Sequence, residues 1–229
     1  MIRTVVILTL DEIAGVQSLA ERLRDLPADE VLAVDGGSAD GTAAFLESLG
    51  IPVVIQKRPG RGAAIREGVD QSHGDNVVLF SPDGNEDPAD IPRLFEMLDA
   101  GYDMAIASRF LPDAVNEEDA SWLPARKWGN QAFSMVLHAL WAPPGVFVTD
   151  PINGFRAFTR RAFHLMNPQS DRFTIEYELT QRAFTLGLSI VEIPTHEGQR
   201  IAGSTKAPSV RTGLSFCRFV FGQWIRGRN

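Results

Sequence analysis

At 229 residues, with 44% hydrophobic and 22% charged side chains, the chain fits one large globular domain, or a domain with a small extension, and can bury a substantial core. A formal charge of −7 argues against a general nucleic-acid binder, because phosphate backbones reward Lys and Arg clustered over a whole face. Cys217 is the single cysteine, which excludes an intramolecular disulfide and a cysteine metal cluster and suits a reducing cytoplasm.

The chain opens on an apolar run, Met1 to Leu10, that stops at Asp11-Glu12; it is too short and wrongly flanked for a signal peptide and contains a first buried strand, Val5 to Leu8. Strand-like runs follow at 31–34, 53–55, 77–80 and 104–107. Between them, Ile13, Val16, Leu19, Ala20 and Leu23, then Ala43, Leu46 and Leu49, recur at helical spacing, and helices are predicted over 62–69, 91–98 and 127–140. This alternation implies βα units and a mainly parallel sheet. After Ser108 it fails, and 111–124 is a polar, acidic loop. A strand at 155–159, a helix over 175–186 and a strand over 188–193 complete a mixed sheet. No apolar run reaches the roughly eighteen residues of a transmembrane helix. The tail, 211–229, carries Arg211, Arg218, Arg226 and Arg228 with no acidic residue, interleaved with Phe216, Phe219, Phe221 and Trp224. That basic amphipathic pattern suits a membrane surface, a partner, or the rest of the chain itself.

Several turns can do chemistry. Val34-Asp35-Gly36-Gly37-Ser38-Ala39-Asp40-Gly41-Thr42 places a carboxylate and a Gly/Ser turn where a strand gives way to a helix, and ligands collect beyond the carboxyl ends of such strands. Ordinary turn chemistry, with Asp40 capping the helix, explains the same residues. Ser81-Pro82-Asp83-Gly84-Asn85-Glu86-Asp87-Pro88 is an acidic turn after a buried strand, able to hold a hard cation through one or two carboxylates plus substrate phosphates. Its plainer reading is an Asx-rich turn that caps the next helix. Arg58-Pro59-Gly60-Arg61-Gly62-Ala63-Ala64 opens a helix whose N–H groups and basic side chain could lie near anionic oxygens.

Taken in order, these blocks resemble family-2 glycosyltransferases, which have the GT-A fold: an α/β, Rossmann-like, mixed and mainly parallel sheet flanked by helices. The first block resembles the family's Val-Asp-Asp-Gly-Ser-Thr-Asp-Gly-Thr, with Gly36 at the second Asp. The acidic turn resembles its Asp-x-Asp, with Ser81 at the first Asp, Asp83 at the second, and Asn85 where polyprenyl-phosphate sugar transferases often have Gln. Gly60-Arg61-Gly62 resembles Gly-x-Gly-x-Ala, Ala107-Ser108-Arg109-Phe110 resembles Gly-Ser-Arg-Tyr, and Asp150-Pro151-Ile152-Asn153-Gly154-Phe155-Arg156 resembles the Asp-x-x-Ser-Gly-Phe-Arg of dolichyl-phosphate sugar synthases. Arg200-Ile201-Ala202-Gly203-Ser204-Thr205-Lys206 resembles Arg-x-x-Gly-x-Ser-Lys.

The resemblance implies an inverting transfer of a hexose from a nucleotide-diphospho-sugar, of the GDP-mannose or UDP-glucose type, to a polyprenyl or dolichyl phosphate, with Mg²⁺ or Mn²⁺. It assigns Thr9, Asp11, Glu12, Asp35, Gly62, Ser81, Pro82 and Asp83 to the donor, Arg61 beside it, and Asp83 and Asn85 to the metal. Asp150, Arg200 and Lys206 are the catalytic candidates, with His196 able to join the cations, and Arg109, Arg126 and Arg156 the acceptor contacts, with Lys127 beside them. A hydroxyl acceptor would need Asp150 as base, whereas a phosphate is already anionic. A glycan or small-molecule hydroxyl acceptor is the second reading, and a non-catalytic nucleotide-sugar-binding subunit, motivated by Gly36 and Ser81, the third. Residues 1–209 are expected to form the catalytic domain and 210–229 a docking helix, on the cytoplasmic membrane face or a membrane subunit.

Overall fold

The computed structural model describes residues 1–119, 122, 125–201 and 209–226. One mixed sheet has the strand order β3-β2-β1-β4-β6-β5-β7. Its strands are β1 (Arg3–Thr9), β2 (Glu30–Asp35), β3 (Val53–Ile55), β4 (Asn76–Phe80), β5 (Met104–Ser108), β6 (Arg156–Thr159) and β7 (Ile190–Pro194). The helices are α1 (Ile13–Ser18), α2 (Ala20–Arg24), α3 (Thr42–Ser48), α4 (Arg61–Gln71), α5 (Ile91–Asp99), α6 (Ala125–Trp141), α7 (Arg160–Met166), α8 (Ile175–Leu186) and α9 (Ser209–Arg226).

Every residue of β4 and β5 is buried, as continuous apolar strands covered on both faces must be. Alternation along β1 divides the core in two. Val6 and Leu8 pack with Ile65, Leu137, Phe163, Tyr177 and Phe216, beneath α4 and α6 to α9. Val5 and Ile7 pack with Leu23, Leu46, Leu94 and Phe95, beneath α1, α2, α3 and α5.

Strand β6 is antiparallel to both β4 and β5, while β1, β2, β3 and β4 pair in parallel, as do β5 and β7. Its direction brings the segment that leads into it, 149–155, to the edge where the other six strands end. Arg156, opposite Leu79 and Ile106, is the first residue of β6.

Two elements differ from the sequence expectation, and a third takes one of the arrangements it allowed. The helical spacing from Ile13 to Leu23 forms two short helices, interrupted at Leu19 (φ −100°, ψ 8°). Helix α7, which was not predicted, starts where the Thr159 side chain accepts a hydrogen bond from Ala162 N–H and buries Ala162, Phe163 and Met166. The tail helix α9 is docked on the same core: Phe216 is 3% exposed and meets Phe133 and Tyr177 at ring-centroid distances of 5.1 and 5.5 Å.

Arg156 is not placed to touch an acceptor. Its side chain is fully buried, donating to the carbonyls of Asn153 (2.8 Å), Glu176 (2.9 Å) and Pro151 (3.0 Å). Burial lowers its pKa to about 10, so it stays charged at neutral pH. The guanidinium thus ties the turn before β6 to α8, with the Thr180 hydroxyl as a second donor to the Glu176 and Pro151 carbonyls. Arg156→Ala is expected to lower stability by about 3–5 kcal/mol, the range for emptying one side of a buried charged network. Urea denaturation checks it, and an unchanged midpoint would contradict this role.

Candidate functional site

A cavity of about 630 Å³ opens at this edge of the sheet. Thr9 and Glu12 line it after β1, Ser81, Asp83, Asn85 and Glu86 after β4, Arg109 after β5, and Thr195, Glu197 and Arg200 after β7. Helices contribute Arg61, Arg126, Lys127, Glu176 and Phe216.

Several residues expected at the donor lie behind this wall. Asp35 is fully buried; its carboxylate accepts hydrogen bonds from Gly37 N–H (2.9 Å), Ser38 N–H (2.7 Å), the Ser38 hydroxyl (2.6 Å) and the Thr9 hydroxyl (2.9 Å). It therefore holds its own turn and orients Thr9, which does face the cavity. Asp11 accepts from Ala39 N–H and fastens the β1–α1 loop to that turn. Asp40 accepts from Thr42 N–H and Ile13 N–H, so the capping explanation also holds. Pro82 is buried, its carbonyl packed where a Cβ on Gly15 would lie at 1.9 Å. Gly62 does not offer its N–H to a donor, because Asp171 O accepts it at 2.9 Å, and a Cβ there would meet Ser170 O at 2.0 Å. That close approach of the 170–171 backbone explains the glycine.

The acidic turn after β4 forms the cavity's most charged corner. Asp83 accepts from Asn85 N–H at 3.1 Å and pairs with Arg200 at 2.7 Å, while Arg200 also reaches Glu12 at 3.5 Å. The strand-like passage of 198–201 lies directly on the turn, with Gly198 N–H on Asn85 O and Ile201 N–H on Asp83 O, both 3.0 Å. Gly84, at φ +97°, permits this, since a Cβ would stand 2.6 Å from the Ile201 side chain. Ser81 donates its N–H to Glu86 at 2.6 Å and accepts from Arg61 Nη1 at 3.2 Å; Arg61 Nε pairs with Glu176. Burial alone would lower the Arg61 pKa, but Glu176 raises it. Glu86 is pushed up to about 8, first by burial and then by the like charge of Asp83.

The residues fit a divalent cation. Asn85 Oδ1 is buried without a hydrogen-bond partner, beside a carboxylate on the same wall. No three His, Cys, Asp or Glu converge among the described residues, so such a cation would share its coordination with phosphate oxygens.

At the other end, Asp150 is fully buried and held by Arg109 in a fork, Nε to Oδ2 at 2.7 Å and Nη2 to Oδ1 at 2.9 Å. Burial works against the Arg109 charge, yet Asp150 outweighs it and raises the pKa. Glu192 accepts Thr149 N–H (2.7 Å) and Asp150 N–H (2.9 Å), which aims the Asp150 backbone. Glu197 pairs with Arg109 at 3.2 Å and accepts from Asn116 Nδ2 and Glu117 N–H. Burial raises the pKa of both glutamates. Arg126 pairs with Glu117 and Glu118, and Lys127 with Asp119. His196 faces the Asp113 carbonyl at 2.9 Å, away from the diphosphate corner expected of it. Lys206 lies outside the described residues.

Sequence reasoning did not single out Glu86, Glu176, Glu192 or Glu197 as site residues. Glu86 stands in the acidic turn itself, a signal available in the sequence; the others are joined to the site only by folding. Because folded Glu86 titrates near 8 and an unfolded Glu near 4.5, the native state binds the extra proton between these values. Stability is therefore expected to be complete below about pH 4.5 and to fall as pH rises towards about 8. Glu86→Gln should flatten that fall in a thermal-melt series taken without ligand. Parallel curves for the two proteins would contradict it.

Residues 4–164 match glycosyl transferase family 2. The chain is 31% identical to glycosyltransferase AglJ of Haloferax volcanii over 210 residues, spanning 90% of this chain and 66% of that one. It is 31% identical to polyprenol monophosphomannose synthase of Mycolicibacterium smegmatis, spanning 88% and 78% of the two chains. For undecaprenyl-phosphate mannosyltransferase of Micrococcus luteus the identity is 30%, over 88% and 85%. Glucosyl-3-phosphoglycerate synthase from Mycobacterium tuberculosis, solved with Mn²⁺, UDP-glucose and phosphoglyceric acid, superposes with a TM-score of 0.74 at 22% identity, over 97% of this chain and 79% of that one. The fold is GT-A, as the sequence resemblance implies.

Proposed function

The chain belongs to glycosyl transferase family 2, and we propose that it moves a hexose from a nucleotide-diphospho-sugar to a polyprenyl phosphate, with inversion at the anomeric carbon. The observation that carries the acceptor class is the engagement of Asp150. Buried, with both oxygens forked by Arg109, it is poorly placed to take a proton from a hydroxyl. A phosphate nucleophile needs no such base, and the names of two relatives, polyprenol monophosphomannose synthase and undecaprenyl-phosphate mannosyltransferase, support the same class. Glu197 does line the cavity, but it is spent on Arg109, Asn116 and Glu117.

In this reading Thr9 and Glu12 face the nucleotide, and Asp83 and Asn85 hold a divalent cation that neutralises the diphosphate. Arg200, which pairs with Asp83 at 2.7 Å, would stabilise the departing diphosphate, with Lys206 as a second cation. Arg109, Arg126 and Lys127 bind the acceptor phosphate, Asp150 orienting Arg109. The acceptor's lipid would lie along α6 and α9, whose Phe133, Thr212, Gly213 and Phe216 extend the cavity in an apolar direction. The chain would work at the cytoplasmic membrane face. No described helix is long and apolar enough to cross a membrane, while Phe221 (62% exposed), Leu214 and Trp224 face outward on α9.

Incubation with GDP- and UDP-hexoses, Mg²⁺ or Mn²⁺ and a polyprenyl phosphate is expected to yield organic-extractable sugar from one donor; donor binding with no such product would overturn the acceptor. Asp150→Asn should slow this transfer by about tenfold or less, below the ~10²–10⁴ that a general base supplies. A loss of several orders of magnitude would favour a hydroxyl acceptor and a true base. Phe221→Glu with Trp224→Glu should weaken sedimentation with anionic vesicles while leaving the thermal midpoint nearly unchanged; undiminished sedimentation would remove α9 from the membrane contact.

A further inference from the structure

We propose that Glu86 supplies the carboxylate that Ser81 lacks, so that the cation seat of this chain is built from Asp83, Glu86 and the amide oxygen of Asn85. The inference rests on the donor half of the proposed function and is independent of the acceptor.

Ser81 itself is a poor seat. Its hydroxyl takes a hydrogen bond from Arg61 Nη1 at 3.2 Å, which brings a guanidinium, not a metal ion, to that oxygen. The side chain is also one atom short of a carboxylate and would bind a hard cation only weakly. The backbone then reverses through Pro82-Asp83-Gly84, with Gly84 at φ +97°, and returns Glu86 to position 81: Glu86 Oε2 accepts the Ser81 N–H at 2.6 Å. A carboxylate thus stands against the backbone of the residue whose own side chain carries none. That hydrogen bond uses one of about four acceptor sites on a carboxylate.

The surrounding groups agree. Asp83 and Glu86 line the same cavity, and between them in sequence the buried Oδ1 of Asn85 has no hydrogen-bond partner. Asp83 Oδ2 is occupied by Arg200 at 2.7 Å, a mobile type of partner that a bound cation and diphosphate would replace. Two carboxylates and one amide oxygen leave half of an octahedron for donor phosphates and water, the usual division for Mg²⁺ and Mn²⁺. The plain alternative makes Glu86 a staple that only closes the turn through Ser81 N–H.

Mn²⁺ titrated into the chain with UDP, with free Mn²⁺ followed by electron paramagnetic resonance, separates the two without any turnover. Glu86→Gln keeps an oxygen for Ser81 N–H but cannot become a carboxylate; it is expected to weaken Mn²⁺ by about tenfold or more, at least the effect of losing an outer-shell partner. Adding Ser81→Asp to Glu86→Gln should restore most of the affinity. Wild-type affinity in Glu86→Gln would overturn the proposal and leave Glu86 a staple. Should that variant fail to fold, Ser81→Asp alone decides: affinity within about twofold of wild type fits a seat already filled by Glu86, and a gain of tenfold would show the place empty. Wild-type chain that binds neither UDP nor GDP, with or without Mn²⁺, would sink the donor reading, and this assignment with it.

Discussion

Strand β6 runs against its neighbours, and the charged Arg156 side chain sealed beneath it holds the turn that this direction creates. Had β6 been parallel, the segment 149–155 would enter at the opposite edge of the sheet, and Asp150 would never meet Arg109. The antiparallel entry instead stacks a seventh loop on the edge where six strands end. A buried guanidinium is an expensive way to fasten a turn, since its charge must leave water. That cost is offset by the hydrogen bonds the guanidinium donates to the buried carbonyls of Pro151, Asn153 and Glu176.

The charges of the cleft cancel locally. Arg109 meets Asp150 and Glu197, Arg200 meets Asp83 and Glu12, Arg61 meets Glu176, and Arg126 meets Glu117 and Glu118. Pairing is what lets so many ionised groups line a part-buried cavity. It also means that binding an anionic ligand is an exchange of partners and not the filling of an idle site. A diphosphate that arrives with its cation brings both signs at once: the cation suits Asp83, and the phosphate oxygens suit Arg200. An anion alone would leave Asp83 uncompensated, which is a physical reason for the two to bind together.

Helix α9 joins the two ends of the problem. Phe216 and Phe219 pack on Tyr177 and Phe133, and Thr212 and Gly213 reach the cavity, while Leu214, Phe221, Trp224 and Ile225 remain exposed. One helix thus presents an apolar surface outward and borders the cleft inward. The tail is therefore part of the site's wall.

Periodicity alone determined the strands, most helices and the α/β class, because burying one stripe of a helix or both faces of a strand writes itself into local spacing. The chemistry of turns at strand ends pointed to the acidic turn, and resemblance to the family's motifs pointed to the Arg109 block, the Asp150 block and Arg200. Three decisions came only from the tertiary structure. Gly62 sits where a donor site was expected, yet its N–H goes to Asp171, which no local pattern announces, while Asp35 closes its own turn through Ser38, the ordinary turn chemistry that the sequence also allowed. Arg156 is inside because β6 is antiparallel, a property of strand pairing and not of its own residues. Glu176, Glu192 and Glu197 join the site from elements far along the chain, and Glu86 acquires its role through one hydrogen bond to Ser81. A sequence states which charges a chain carries; only its folding decides which of them neutralise one another and which are left to meet a ligand.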